Sequence, residues 1–158
     1  LLITLFILLA VSLNFNSIYA ASSSGSDGKD ETSLYKSGKK LVLRAKKLEK
    51  KGKIEKAKLR YKKALNFLLE ANAENPGHPD ILYYLGFASA KLGKHDNAEI
   101  YYLLGLEIDP NHITIYKDLG KLYLATNRKT KAIEKLEILK SCNCEEYDEL
   151  KELIEKKE

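Results

Sequence analysis

Sliding the chain by 34 residues lays Leu82 on Tyr116, Leu85 on Leu119, Gly86 on Gly120, Ala98 on Ala132 and Tyr102 on Leu136. A fixed period of this length marks a stacked array, in which one supersecondary unit repeats and no unit buries its apolar face alone. A third copy lies upstream. Leu41, Ala45, Leu48, Gly52, Ala57, Tyr61 and Ala64 have the internal spacings of Leu82, Gly86, Ser89, Gly93, Ala98, Tyr102 and Gly105. Within each copy apolar residues recur at three and four, and Gly52, Gly93 or Asn127 interrupts the pattern midway, so each reads as two helices joined by a turn. Gly86, Gly120 and Ala45 on the first helices and Ala57, Ala98 and Ala132 on the second are expected where antiparallel helices pass closest.

In residues 79–112 the set Leu82, Leu85, Gly86, Gly93, Ala98, Tyr102 and Asp109-Pro110 resembles the tetratricopeptide repeat, a helix-turn-helix unit of 34 residues. The next unit, about 113–146, keeps Tyr116, Leu119, Gly120, Tyr123, Ala132 and Leu136 but has Cys144 where the closing proline would stand. The first, about 38–78, runs seven residues longer before Pro76. Seven residues are close to two helical turns and keep the same face inward. The spacing therefore predicts a long helix from about Lys53 to Ala73 that protrudes past its neighbours. Tyr147, Leu150, Leu153 and Ile154 have the spacing of a capping helix, about 145–157. The resemblance implies an all-α, right-handed α-solenoid of three helix-turn-helix units with a C-terminal cap, spanning 33–158.

It also implies a concave groove lined by the first helix of each unit. Carried over position by position, that groove presents Lys39, Val42, Lys46 and Lys50, then Asp80, Tyr83, Phe87 and Lys91, then Lys117, Lys121 and Leu124. Such a groove is basic at both ends with aromatic residues between, which fits an acidic or aromatic-bearing protein segment. Family members that clamp a C-terminal carboxylate alternate Lys with Asn at these positions, and the Asn partners are absent here. The function implied is a non-catalytic scaffold or adaptor that binds a peptide or protein segment.

Residues 1–20 begin with the apolar run LLITLFILLAVSL and end in small residues at Ala20 and Ala21. The run is too short to span a bilayer, which takes ~20 residues. It matches the core of a secretory signal whose start is missing. Residues 21–32, rich in Ser, Gly and Asp, read as a flexible linker. The folded part is therefore expected outside the cytosol, periplasmic or extracellular, and tethered if the signal is not cleaved.

Charge is distributed unevenly. The 27 Lys and Arg against 22 Asp and Glu give a net charge of only +5. Between Lys36 and Lys63, however, 14 basic residues face only Glu49 and Glu55, whereas Ser141 to Glu158 holds 3 basic and 7 acidic residues. The basic stretch raises an alternative reading, a membrane-surface-associated or self-assembling protein that uses its first unit against anionic lipid. No nucleic-acid signature accompanies the charge, so nucleic acid is not an expected partner.

Two cysteines and three histidines supply no zinc-site or cofactor motif, so neither an enzyme nor a bound cofactor or metal is expected. Cys142-Asn143-Cys144 lacks the two-residue spacing of thioredoxin-like sites. A short disulfide, two free thiols and an intermolecular bridge all remain open there, with pinning the turn before the cap as the expected role. His78 and His112 lie 34 apart, which gives both the same place between units and a capping or turn role.

Overall fold

The structure, a computed structural model, describes residues 33–156. The readings of residues 1–20 as a signal and 21–32 as a linker lie outside the described residues. Seven α-helices follow one another in the described part: α1 Ser33–Lys50, α2 Ile54–Glu74, α3 Pro79–Lys91, α4 His95–Ile108, α5 Ile113–Ala125, α6 Lys129–Leu139 and α7 Glu145–Glu155. They pair as α1/α2, α3/α4 and α5/α6, with α7 against both α5 and α6. α1 touches α3 and α3 touches α5, while α2, α4 and α6 do not meet one another. Helices α1, α3 and α5 therefore form the closed, inner row of a helical solenoid, and α2, α4 and α6 the splayed outer row.

The turn within each pair has one construction. Gly52, Gly93 and Asn127 have φ of 69°, 75° and 58°. The next residue donates its N–H five positions back: Lys53 to the Leu48 carbonyl at 2.9 Å, Lys94 to Ser89 at 2.9 Å and Arg128 to Tyr123 at 2.7 Å. This is the Schellman closure, which satisfies orphan carbonyls at a helix end and requires a left-handed residue. A Cβ at Gly52 or Gly93 would meet nothing within 4 Å, so backbone conformation and not crowding places glycine there. Between pairs the imidazoles do the capping. His78 Nδ1 accepts from the Asp80 N–H at 3.2 Å, and His112 Nδ1 from the Ile115 N–H at 3.3 Å. Pro79 opens α3, where its missing N–H costs nothing.

Close approach accounts for the small residues. A Cβ on Gly86 would lie 2.6 Å from the Tyr102 ring on α4, and one on Gly38 would lie 2.6 Å from Leu68 Cγ on α2. Ala45, Ala57, Ala98 and Ala132 are fully buried. Gly120 departs from the expected pairing, because the atoms nearest its Cβ position belong to Leu150 of α7, at 2.6 Å, and not to α6. The residue on α6 equivalent to Tyr102 is the shorter Leu136, and the cap supplies the side chain that fills the gap.

The long helix of the first unit forms over 21 residues, against 14 in α4. It does not protrude as expected. α1 runs from Ser33, ahead of Gly38, so the added turns of α2 pack along an equally lengthened partner, and Tyr35, Leu68 and Ala71 are buried. Among the described residues no helix is long and apolar enough to cross a membrane.

Candidate functional site

The inner faces of α1, α3 and α5 carry the residues expected to line a groove, and the structure sorts them into three kinds. Val42 does not belong there. It is fully buried in the row Tyr35, Gly38, Val42 and Ala45 that packs α1 onto the core. Its counterpart Tyr83 starts from the same place but is long enough to reach toward the groove, whereas valine ends inside.

Phe87 anchors the centre. Its ring lies 6.1 Å from Tyr83 and 6.0 Å from Tyr61, with Lys46 Nζ at 4.5 Å and Lys91 Nζ at 5.6 Å from the ring centroid. These are cation–π distances. Lost hydration at this wall lowers the Lys46 ammonium below the usual lysine range, against the pull of Asp118. Lys39 stands similarly 5.2 Å from the Tyr35 ring and 6.0 Å from Tyr84, and Lys50 is exposed at the end of α1. Leu124 is 95% hidden, yet it lines a shallow cavity of about 330 Å³ with Lys121, Ala125, Leu153 and Lys156.

The remaining lysines are not open cations. Lys91 Nζ lies 3.0 Å from Glu49 Oε2, which also accepts from Tyr61 OH at 2.9 Å. Glu149 on the cap reaches across to α5, where one oxygen accepts from Lys121 Nζ at 2.9 Å and lies 3.2 Å from Lys117 Nζ. The Lys121 hydrogen bond holds the Glu149 carboxyl below the usual carboxylate range. Asp80 sits at the rim, where its carboxylate lies 3.4 Å from His112 Nε2. The groove is therefore close to internally neutral, and the strongly basic ends expected from the lysines alone are not what its surroundings leave.

Asp118 is the decisive residue that the repeat register passed over. Its side chain is buried, accepts from Tyr83 OH at 3.1 Å and lies 3.8 Å from Lys121 Nζ. Burial raises its carboxyl above the usual 3.8, opposed by Lys117, Lys121, the Tyr83 hydrogen bond and Lys46. A signal for it was present in the chain: one acid in the apolar helix ITIYKDLGKLYLA, flanked by Lys117 and Lys121. Glu49 carried a similar signal as one of two acids in the basic stretch. Beside Asp118 opens a cavity of about 220 Å³, walled by Phe87, Ala90, Tyr102, Leu122 and Ala125, with Lys91, His95 and Lys121 at its edge. An apolar pocket with a few polar groups at its edge suits a single anchoring side chain.

Cys142 and Cys144 are joined in the structure, with Cα atoms 5.2 Å apart, and the bridge lies in the turn between α6 and α7. Among the described residues no group of three His, Cys, Asp or Glu side chains is placed to hold a metal ion.

Residues 79–112 match the family model for the tetratricopeptide repeat. No curated protein matches the chain in sequence. Solved structures match it in fold. The Arabidopsis OM64 TPR domain aligns with TM-score 0.55 and 15% identity over 79% of this chain and 99% of that one. The Yersinia enterocolitica type III secretion chaperone SycD, in complex with a peptide of the translocator YopD, aligns with TM-score 0.55 and 18% identity over 75% of this chain and 86% of that one. The MamA RS-1 ArsTM double mutant aligns with TM-score 0.53 and 22% identity over 72% of this chain, which spans 58% of that structure's length. One helix pair meets the family's sequence pattern, the pairs on either side repeat its build, and the chain belongs to the tetratricopeptide repeat family.

Proposed function

We propose that the protein is a non-catalytic interaction scaffold that holds a peptide or protein segment along the inner faces of α1, α3 and α5. The observation that carries this reading is the 220 Å³ cavity beside Phe87, which opens from an inner helix row whose charges are already balanced. A segment would insert one aromatic or branched aliphatic side chain there. Carboxylates next to that anchor would compete with Glu49 and Glu149 for Lys91 and Lys121 and find Lys46 and Lys50 close by. The charge requirement on the partner is thus narrower than a strongly basic groove would impose: an apolar anchor first, a flanking acid second. Support comes also from the similar chaperone structure, which was solved with a bound peptide. The reading includes export, supported by the apolar run of residues 1–13 and by the Cys142–Cys144 bridge, which persists in oxidising compartments.

A displayed peptide library selected on the full chain tests the reading. Peptides with one large apolar residue beside an acid should be enriched. Ala125→Trp, which fills the cavity from a partly open position, should weaken them at least tenfold while leaving the melting temperature within a few degrees. Enriched peptides that bind Ala125→Trp unchanged would remove the cavity from the proposal.

A further inference from the structure

We propose that the protein associates head to tail with a second copy, the basic outer row of α1 receiving the acidic outer row of α7. On α1 the face opposite the buried row carries Lys36, Lys40, Arg44, Lys47 and Lys51, all exposed, with Leu43 among them at 46% exposure. The repeat register shows what this face is for. Lys40, Arg44 and Lys47 are equivalent to Ile81, Leu85 and Ala88 of α3, and to Ile115, Leu119 and Leu122 of α5, all of them buried. In α5 that row packs on the preceding helix pair: a Cβ at Gly105 of α4 would lie 2.6 Å from Ile115 Cδ1. The face that accepts a preceding helix pair elsewhere in the solenoid is cationic in α1. An apolar pair cannot dock on it, because five lysine and arginine heads would lose their water without partners.

The opposite end of the molecule presents the complement. α7 buries Leu150 and Ile154 and turns Glu145, Asp148, Glu152 and Glu155 away from the core, all exposed. Over rows of about 15 Å on α7 and about 17 Å on α1 from Lys36 to Lys47, acids recur at three and four on one helix and cations at three and four on the other. Glu152 is engaged by Lys156 and Glu155 by Lys151, both within α7 and both solvent-exposed, so these pairs exchange readily for intermolecular ones. Among the described residues none of the five cations on α1 has an ion-pair partner. The contact joins two different faces of the same chain. It is heterologous, does not close on itself, and builds open chains whose length grows with concentration. Its polar character makes it weak and salt-dependent.

Charge reversal tests this on the full chain, held in a non-ionic detergent so that apolar contacts through residues 1–20 do not contribute. By sedimentation velocity at low ionic strength, the weight-average mass should rise with concentration and fall back to monomer in 0.5 M salt. Lys40→Glu with Arg44→Glu should stay monomeric, and so should Asp148→Lys with Glu152→Lys. An equimolar mixture of the two should associate again, since each variant then offers the other a complementary end. All substituted positions are exposed, and circular dichroism melts within a few degrees of the parent will confirm folding. Milder Lys40→Gln with Arg44→Gln should give an intermediate mass. A monomeric parent, variants that associate like the parent, or a mixture that stays monomeric would each overturn the proposal. So would a monomeric parent whose α1 row binds phosphatidylglycerol vesicles, since that row then belongs to a lipid surface.

Discussion

Asp118 concentrates the chemistry of the groove at one carboxylate. Its carboxyl is raised by burial, so the folded state holds a proton that the unfolded chain, at its usual 3.8, has already released. Stability is therefore lost as pH climbs from about 3.8 through the raised value, and is flat above it. Asp118→Asn keeps the acceptor for Tyr83 OH and removes this dependence. The stability difference between variant and parent, followed by urea unfolding from pH 3 to pH 7, should grow in the variant's favour as pH rises. A difference that grows in the opposite sense would mean that Lys117 and Lys121 outweigh burial. Tyr83→Phe leaves that carboxylate without its hydroxyl donor and should cost ~1–3 kcal/mol at pH 7. The turns offer a second residue-scale test. Gly93→Ala places a Cβ at a φ of 75° and should cost about 1 kcal/mol, whereas Asn127→Gly should be neutral or stabilising by a few tenths. Equal losses at both would contradict the shared turn construction.

At the scale of elements, α7 is structural cover rather than an appendage. Leu150 fills the space above Gly120 and Glu149 bridges Lys117 and Lys121, so the cap completes both the core and the electrostatics of the groove. Leu150→Ala should cost ~2–5 kcal/mol, read as a lowered urea midpoint. The fold was largely legible in the chain because helix pairs, turns and small residues are set by a period that repeats within a few residues of itself. The Schellman turns at Gly52, Gly93 and Asn127 and the caps at His78 and His112 follow from that register. What it missed followed from lengths and from neighbours distant in sequence. The added turns of α2 pack flush because α1 is also longer, and Gly120 meets α7 because Leu136 is shorter than Tyr102. The same limit applied to the groove. A lysine position can be copied from a repeat, but Glu149, 28 residues beyond Lys121, comes from another helix, and Val42 shares the register of Tyr83 without its reach.

For the whole molecule, the distribution of charge gains its meaning from the fold. The basic stretch becomes the outward face of α1 and the length of α2, the acidic stretch becomes the outward face of α7, and the groove between them is balanced by Glu49, Asp118 and Glu149. Ends that differ in sign and an inner row that is nearly neutral separate two roles on one solenoid: recognition inside, association at the ends. Site-specific photo-cross-linking in the native host tests the central claim most directly. With a benzoylphenylalanine at Ala125 on the inner row or at Ile100 on the exposed side of α4, cross-linked material is digested and sequenced by mass spectrometry. The inner position should capture one recurring protein segment, with an apolar residue next to an acid, and the outer position should not. Capture of a recurring partner from Ile100 with none from Ala125 would place recognition on the outer helices and contradict a binding groove on α1, α3 and α5.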